Sequence, residues 1–143
     1  MEFEDLYQEV ILDHYRHPRN FGSTVAQCIR VEHDNPVCGD HIALMLVMNS
    51  DGILEDIKFE GAGCAISMAS ASMMTEAVKD KSADDVLAMI QKILQSLRGE
   101  IASDFLDEHG DLSALKGVVK FPVRVKCATL AWHALKDAIS LKK

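Results

Sequence analysis

Two rhythms divide the chain: apolar residues at helical spacing near both ends and through its middle, and strict alternation in a block between residues 27 and 59. Phe3, Leu6, Tyr7, Val10, Ile11 and His14 keep an i, i+3, i+4 pattern, which predicts a helix with one apolar face, ended over 15–17 by Pro18. Over 27–33 the period becomes two. Ile29, Val31 and His33 fall on one side of a predicted strand, with Cys28, Arg30 and Glu32 on the other. Ile42, Leu44, Leu46 and Met48 mark a second strand, Asn49-Ser50-Asp51-Gly52 a hairpin turn, and Ile53, Ile57 and Phe59 the returning strand. These three strands form an antiparallel meander.

Beyond it the pattern is helical. Gly61-Ala62-Gly63 breaks the third strand, and Cys64 opens a helix over 64–79. Its start, Ala65-Ile66-Ser67-Met68-Ala69-Ser70-Ala71-Ser72, is poor in bulk and invites close packing by a neighbour. Ser82 with Asp84 and Asp85 starts another helix by capping and dipole complementarity, with Val86, Ile90, Ile93 and Leu97 inward and Gly99 at its end. Short helical pieces are expected over 104–108 and 112–116, around Gly110 and Gly117. Pro122 suits the first turn of a last helix, where Cys127, Leu130, Ala131, Ala134, Leu135, Ala138 and Ile139 share a face. The expected class is α+β, a three-stranded antiparallel sheet packed with about five helices.

Composition narrows the function classes. A chain of 143 residues is the size of one domain, expected to span 1–143, and can bury a core without disulfide staples. No apolar run reaches the ~18 residues of a membrane span, and Met1-Glu2-Phe3-Glu4-Asp5 lacks the basic start of a secretory signal, so the expectation is a cytoplasmic protein without a membrane partner. The net charge of −7 argues against nucleic acid as a partner. Four cysteines in such a chain point to metal or thiol chemistry before disulfides.

The candidate chemistry centres on Asn35-Pro36-Val37-Cys38-Gly39-Asp40. Asn35-Pro36 signals a turn, and Cys38 and Asp40, two apart in extended chain, point the same way, in parity with the apolar row that starts at Ile42. Cys64 and Cys127 are too distant in sequence for the short ligand loops of a zinc finger or ribbon, so a site using all three thiols must be built by tertiary structure. A thiol in the first turn of a helix feels unpaired N–H groups and the positive dipole end, which favours thiolate at Cys64. Cys127 points inward near the start of the last helix. Arg124, one turn earlier, and Lys126 can each activate a thiol, meet an acidic partner, or form a solvated basic rim.

Other residues are set aside. Cys28 shares the polar face of its strand and is excluded from the site. His14 continues an apolar stripe and reads as a hydrogen-bonded core histidine, and His17 as a solvated turn residue. Asp107, Glu108 and His109 read as a solvated acidic turn. Gly61 and Gly63 lack the full spacing of a dinucleotide loop.

Three thiols and one carboxylate match a tetrahedral zinc site of Cys38, Asp40, Cys64 and Cys127. With four anionic ligands the formal charge is about −2, which makes one ligand comparatively easy to release. A released cysteine is a competent nucleophile toward a persulfide sulfur, while zinc, having no redox chemistry, protects the other thiolates.

Asp13-His14-Tyr15 with Pro18-Arg19-Asn20, Cys38-Gly39-Asp40, Gly61-Ala62-Gly63-Cys64-Ala65-Ile66-Ser67 with Ala69-Ser70-Ala71-Ser72-Met73-Met74, and Phe121-Pro122-Val123-Arg124-Val125-Lys126-Cys127 resemble the iron-sulfur assembly proteins of the IscU/NifU superfamily nearly end to end. Within it the chain is most similar to the SufU branch. It has the long segment between Cys64 and Cys127, Lys126 where IscU scaffolds carry histidine, and no Leu-Pro-Pro-Val-Lys chaperone sequence. The resemblance implies the compact IscU/SufE-like fold and a zinc-dependent sulfurtransferase that accepts persulfide sulfur from a SufS-type cysteine desulfurase. Zinc would be held by Cys38, Asp40, Cys64 and Cys127, and a desulfurase histidine would displace Cys38 as the acceptor. Arg124 carries over as a desulfurase contact. A downstream iron-sulfur scaffold or thiol carrier would take the sulfur.

Two alternatives use the same residues: a scaffold building a transient [2Fe-2S] cluster with iron, made labile by the oxygen ligand, and a zinc-stapled adaptor without chemistry.

Overall fold

Alternation in the first half of the chain is satisfied by one antiparallel sheet in the order β1-β2-β3, formed by β1 (Ile29–Asn35), β2 (Asp40–Met48) and β3 (Leu54–Ala62). The helices are α1 (Phe3–Arg16), α2 (Ala65–Val78), α3 (Ala83–Leu97), α4 (Asp104–Asp107) and α5 (Pro122–Lys142), with a 3-10 helix over Gly110–Lys120. The computed structural model describes residues 3–23, 28–35, 39–102 and 104–142, and side chains within 8–141 of these. No helix among the described residues is long and apolar enough to cross a membrane.

Register puts the expected residues on one face. Ile29, Val31 and His33 lie opposite Leu46, Leu44 and Ile42, and those in turn oppose Ile57, Phe59 and Gly61. The face packs against α2 and α5, and Ile42, Leu44, Leu46, Ile57 and Phe59 are fully buried. Asn35 is not in a turn, as its Asn-Pro pairing predicted. It is the last residue of β1, buried opposite Asp40.

The returning strand also departs from the alternation. Val47 pairs with Asp56 but Met48 with Leu54, so Glu55 is an extra residue, a bulge that reverses the side-chain parity beyond it. Leu54 is therefore fully buried, and Ile53 only half-buried. The cause lies outside the hairpin, because Leu54 donates its N–H to Lys81 O and accepts from Asp80 N, both at 2.8 Å. The strand also continues through Gly61 and Ala62. Gly117 interrupts nothing: it lies inside the 3-10 helix.

Helix α2 is buried all along Ser67–Thr75, between α1, α5 and β3. Its hydroxyls make the ties that its small size permits. Ser70 Oγ donates to Ala128 O at 2.6 Å and accepts Trp132 Nε1–H at 3.1 Å, joining α2 to α5. Thr75 Oγ1 donates to Ser72 O and accepts from Asn20 Nδ2. Asn20 has φ 58, a left-handed conformation that asparagine tolerates, and its neighbours join the outer edge of β3: Phe59 N donates to Asn20 O, Gly22 N to Phe59 O. The Pro18-Arg19-Asn20 motif thus seats the end of α1 on both the sheet edge and α2.

His14 is fully buried, with Nδ1 2.7 Å from Ser72 Oγ and Nε2 2.7 Å from Asp111 Oδ2. The Nε2–H tautomer satisfies every partner: Nε2–H donates to Asp111, Ser72 O–H donates to Nδ1, and Arg19 N–H donates to Ser72 Oγ. One imidazole ties α1, α2 and the 3-10 helix. His14→Ala removes both bonds and leaves a cavity, so it is expected to lower stability by about 2–4 kcal/mol. A urea midpoint within error of the parent protein would refute that role.

His133 of α5 has its pKa lowered, first by burial and then by Arg98, Lys136 and His33, against the opposing pull of Asp137. Its folded value lies below its unfolded one, so its neutral form contributes stability above about pH 6.5 that is lost as pH falls. Urea midpoints of His133→Gln should decline less between about pH 7 and 5 than those of the parent; parallel declines would contradict this.

Candidate metal centre

Three distant residues converge where the end of the sheet meets the starts of two helices. Asp40 opens β2 on the face carrying Ile42 and Leu44, and is 1% exposed. Burying a carboxylate requires hydrogen-bond compensation. Oδ1 obtains it from Cys64 N–H at 2.8 Å.

Cys64 stands one position earlier than the sequence predicts. It is the N-cap of α2, with extended backbone (φ −70, ψ 163), and its Sγ accepts Ser67 N–H at 3.4 Å in place of the usual capping oxygen. The same sulfur lies 3.9 Å from Asp40 Oδ2. Cys127, in the second turn of α5, is 1% exposed. One ligand atom from each of Asp40, Cys64 and Cys127 lies within 4.8 Å of the other two. Cys64 is the half-buried member, so the cluster opens to solvent beside it.

Cys38, with Pro36 and Val37, lies outside the described residues. Two thiols and a carboxylate, brought together and largely buried, suit zinc, which accepts S and O ligands and requires a fourth donor for a closed tetrahedral site. Arg124 and Lys126 are exposed and form no ion pair among the described residues. Arg124 lines a cavity of about 370 Å³ with Ile11, Ile66, Val118 and Phe121. Phe121 and Val123 expose 58% and 56% of their surface. The start of α5 therefore combines exposed apolar surface with two cations on a chain of net charge −7.

Cys28 is half-buried before β1 and takes no part in the cluster. Asp107 is bound to Lys116 Nζ at 2.8 Å, and the His109 ring rests against Phe105, so these residues with Glu108 form no metal group among the described residues. A second grouping went unforeseen: His14, Glu76 and Asp111 also place ligand-type atoms within 4.8 Å of one another. His14 alone carries a sequence signal, at the end of an apolar stripe; Glu76 and Asp111 carry none. The histidine already has a protein partner for each ring nitrogen and so offers no spare ligand atom, while Arg19 lies 4.0 Å from Glu76 and binds Asp13 at 2.7 Å. His41, the neighbour of Asp40, faces outward and has its pKa raised, chiefly by its hydrogen bond to Asp34, with Glu32 adding to the effect.

The NifU-like N terminal domain family model matches residues 6–141. Over 137 residues the chain is 48% identical to the zinc-dependent sulfurtransferase SufU of Bacillus subtilis (strain 168), covering 96% of this chain and 91% of that protein. It is 44% identical over 134 residues to the iron-sulfur cluster assembly scaffold protein IscU of Streptococcus pyogenes serotype M1, covering 94% of this chain and 82% of the relative. A crystal structure from the thermophile Fervidobacterium islandicum AW-1, described as a proposed iron-sulfur cluster assembly scaffold protein for the SUF system, superposes with a TM-score of 0.84. That match has 30% identity and covers 96% of this chain and 99% of that one.

Proposed function

The chain belongs to the NifU-like N-terminal domain family, and from that premise we propose that it is a zinc-dependent sulfurtransferase of iron-sulfur cluster assembly. It takes persulfide sulfur from a SufS-type cysteine desulfurase. The observation that carries this reading is the convergence of Asp40, Cys64 and Cys127 from a strand, a helix cap and a second helix. The similarity to a zinc-dependent sulfurtransferase supports the choice of metal and reaction.

In this reading Asp40, Cys64 and Cys127 hold the ion with Cys38 as the fourth ligand. Zinc supplies charge to keep thiolates ready without taking part in electron transfer. Cys38 is the acceptor. Its thiolate attacks the outer sulfur of the donor's persulfide, the donor S–S bond breaks, and the donor cysteine leaves as thiolate while Cys38 becomes the persulfide. One S–S bond forms as one is lost, so no external oxidant or reductant is required. Asp40 and the Cys64 cap hold the remaining donors in place, and Arg124 and Lys126 receive acidic groups of the desulfurase. A downstream iron-sulfur scaffold or thiol carrier then removes the sulfur.

Mass spectrometry of the protein after incubation with cysteine and a competent desulfurase tests this directly: added sulfur is expected on Cys38. The similarity to an IscU scaffold favours a second reading, a [2Fe-2S] cluster built on the same residues. Protein produced with both metals available separates the two. Stoichiometric zinc without a visible chromophore supports transfer, and a coloured cluster delivered intact to an apoprotein supports scaffolding.

A further inference from the structure

Gly63 precedes Cys64, and the reason for a glycine there is steric. A Cβ at this position would lie 2.3 Å from Asp40 Oδ1, 2.9 Å from its Cγ and 3.0 Å from its Cβ. Real Cβ atoms do not approach as closely as the first two distances, and the third is at the limit. The backbone at Gly63 is not in the left-handed region, unlike that of Gly39 or Gly52, so conformational freedom does not account for it.

Asp40 cannot give way without loss. Its carboxylate is buried, its Oδ1 takes the Cys64 N–H at 2.8 Å, and this bond holds it against residue 63. Rotation away from an added methyl group would break the bond, leaving the amide at the helix cap without its acceptor. It would also withdraw Oδ2 from its position 3.9 Å from Cys64 Sγ.

We infer that Gly63 is a positioning residue of the centre: its missing side chain is the slot occupied by the Asp40 carboxylate. The slot commits Oδ1 to the Cys64 amide and leaves Oδ2 as the oxygen facing the Cys64 sulfur. Asp40 therefore enters the ligand set through one oxygen, with its orientation already set before any metal arrives. The consequence for metal rests on the ligand set proposed above; the slot itself is a property of the metal-free chain.

A mutant cycle tests it with Gly63→Ala, Asp40→Ala and the double variant, read out by hydrogen exchange of the Cys64 amide in metal-free protein and by zinc affinity in chelator competition. In the parent background Gly63→Ala is expected to speed that exchange and weaken zinc binding, each by about ten-fold or more. With Asp40→Ala already present, the same change should move either quantity by less than about three-fold, because the oxygen and Cγ are gone and only the Cβ contact at 3.0 Å remains, which a small shift relieves. Should Gly63→Ala fail to fold, the double variant is expected to fold like Asp40→Ala alone. Parent-like exchange and affinity in Gly63→Ala overturn the inference, as do equal losses in both backgrounds or failure of both variants to fold. If the parent protein binds no zinc, the proposed ligand set fails, and the amide exchange still decides the slot.

Discussion

Cys38→Ala is expected to remain folded and yet lose sulfur uptake by more than about 100-fold, the scale that accompanies removal of a nucleophile. Among the described residues the hydrophobic core is built from β2, β3 and the helices, from Ile42 through Ile139. Asp40, Cys64 and Cys127 form a three-donor cluster by themselves and are expected to persist in the variant. Thermal unfolding should therefore stay close to that of the parent, and part of the zinc should be retained. A Cys64→Ala variant should behave differently, losing metal together with the sulfur that caps α2. If stimulation of the desulfurase by Cys38→Ala merely tracks the amount of folded protein, the chain acts as a zinc-stapled adaptor and the transfer reading is wrong.

The second large effect belongs to Asp40. Asp40→Ala is expected to lower transfer by about ten-fold or more while zinc content falls less, because the remaining thiolates are the softer, stronger donors for zinc. The structure adds a reason the sequence could not supply. The same carboxylate is the hydrogen-bond acceptor for the Cys64 amide, so its removal also releases the cap that positions that sulfur. Asp40→Asn separates the two roles. Its amide oxygen can keep the Cys64 bond but is a weaker ligand than a carboxylate, so zinc loss should fall between that of the parent and that of Asp40→Ala. Equal loss of zinc and transfer across both variants would assign Asp40 a purely structural role. Metal content by elemental analysis and persulfide formation on Cys38 are the two quantities to compare.

The legible part of this protein is the part governed by local periodicity. Alternation at Ile29, Val31 and His33 and along Ile42, Leu44 and Leu46 was sufficient to place β1 and β2 on a common core face, and Ser82 marked the cap of α3, where its Oγ accepts Asp85 N–H. The features that escaped are set by contacts remote in sequence. Leu54 displaced Ile53 from the core because residues 80 and 81 hydrogen-bond to it across the bulge. His14 was readable as a satisfied core histidine, but Asp111, 97 positions away, was not readable as its partner. The run of small residues in α2 announced close packing. That its serines would link two helices on different flanks became visible only with the neighbours in place.

The candidate metal cluster divides along the same line. Asp40 and Cys64 could be named because each carries a local signature, a Gly-Asp after cysteine and a cysteine at a helix start. The hydrogen bond that orients one by means of the other, and the bare position at Gly63 that permits it, are products of β2 and α2 meeting.

Phe59 is hydrogen-bonded outward at both its amide and its carbonyl, to Asn20 and Gly22, and Phe21 meets it ring edge to face at 5.2 Å. That flank of the sheet is thus unavailable as a template on which a stranger's strand could be laid. Growth into a ladder of like chains along β3 would first demand that the segment after α1 be peeled away.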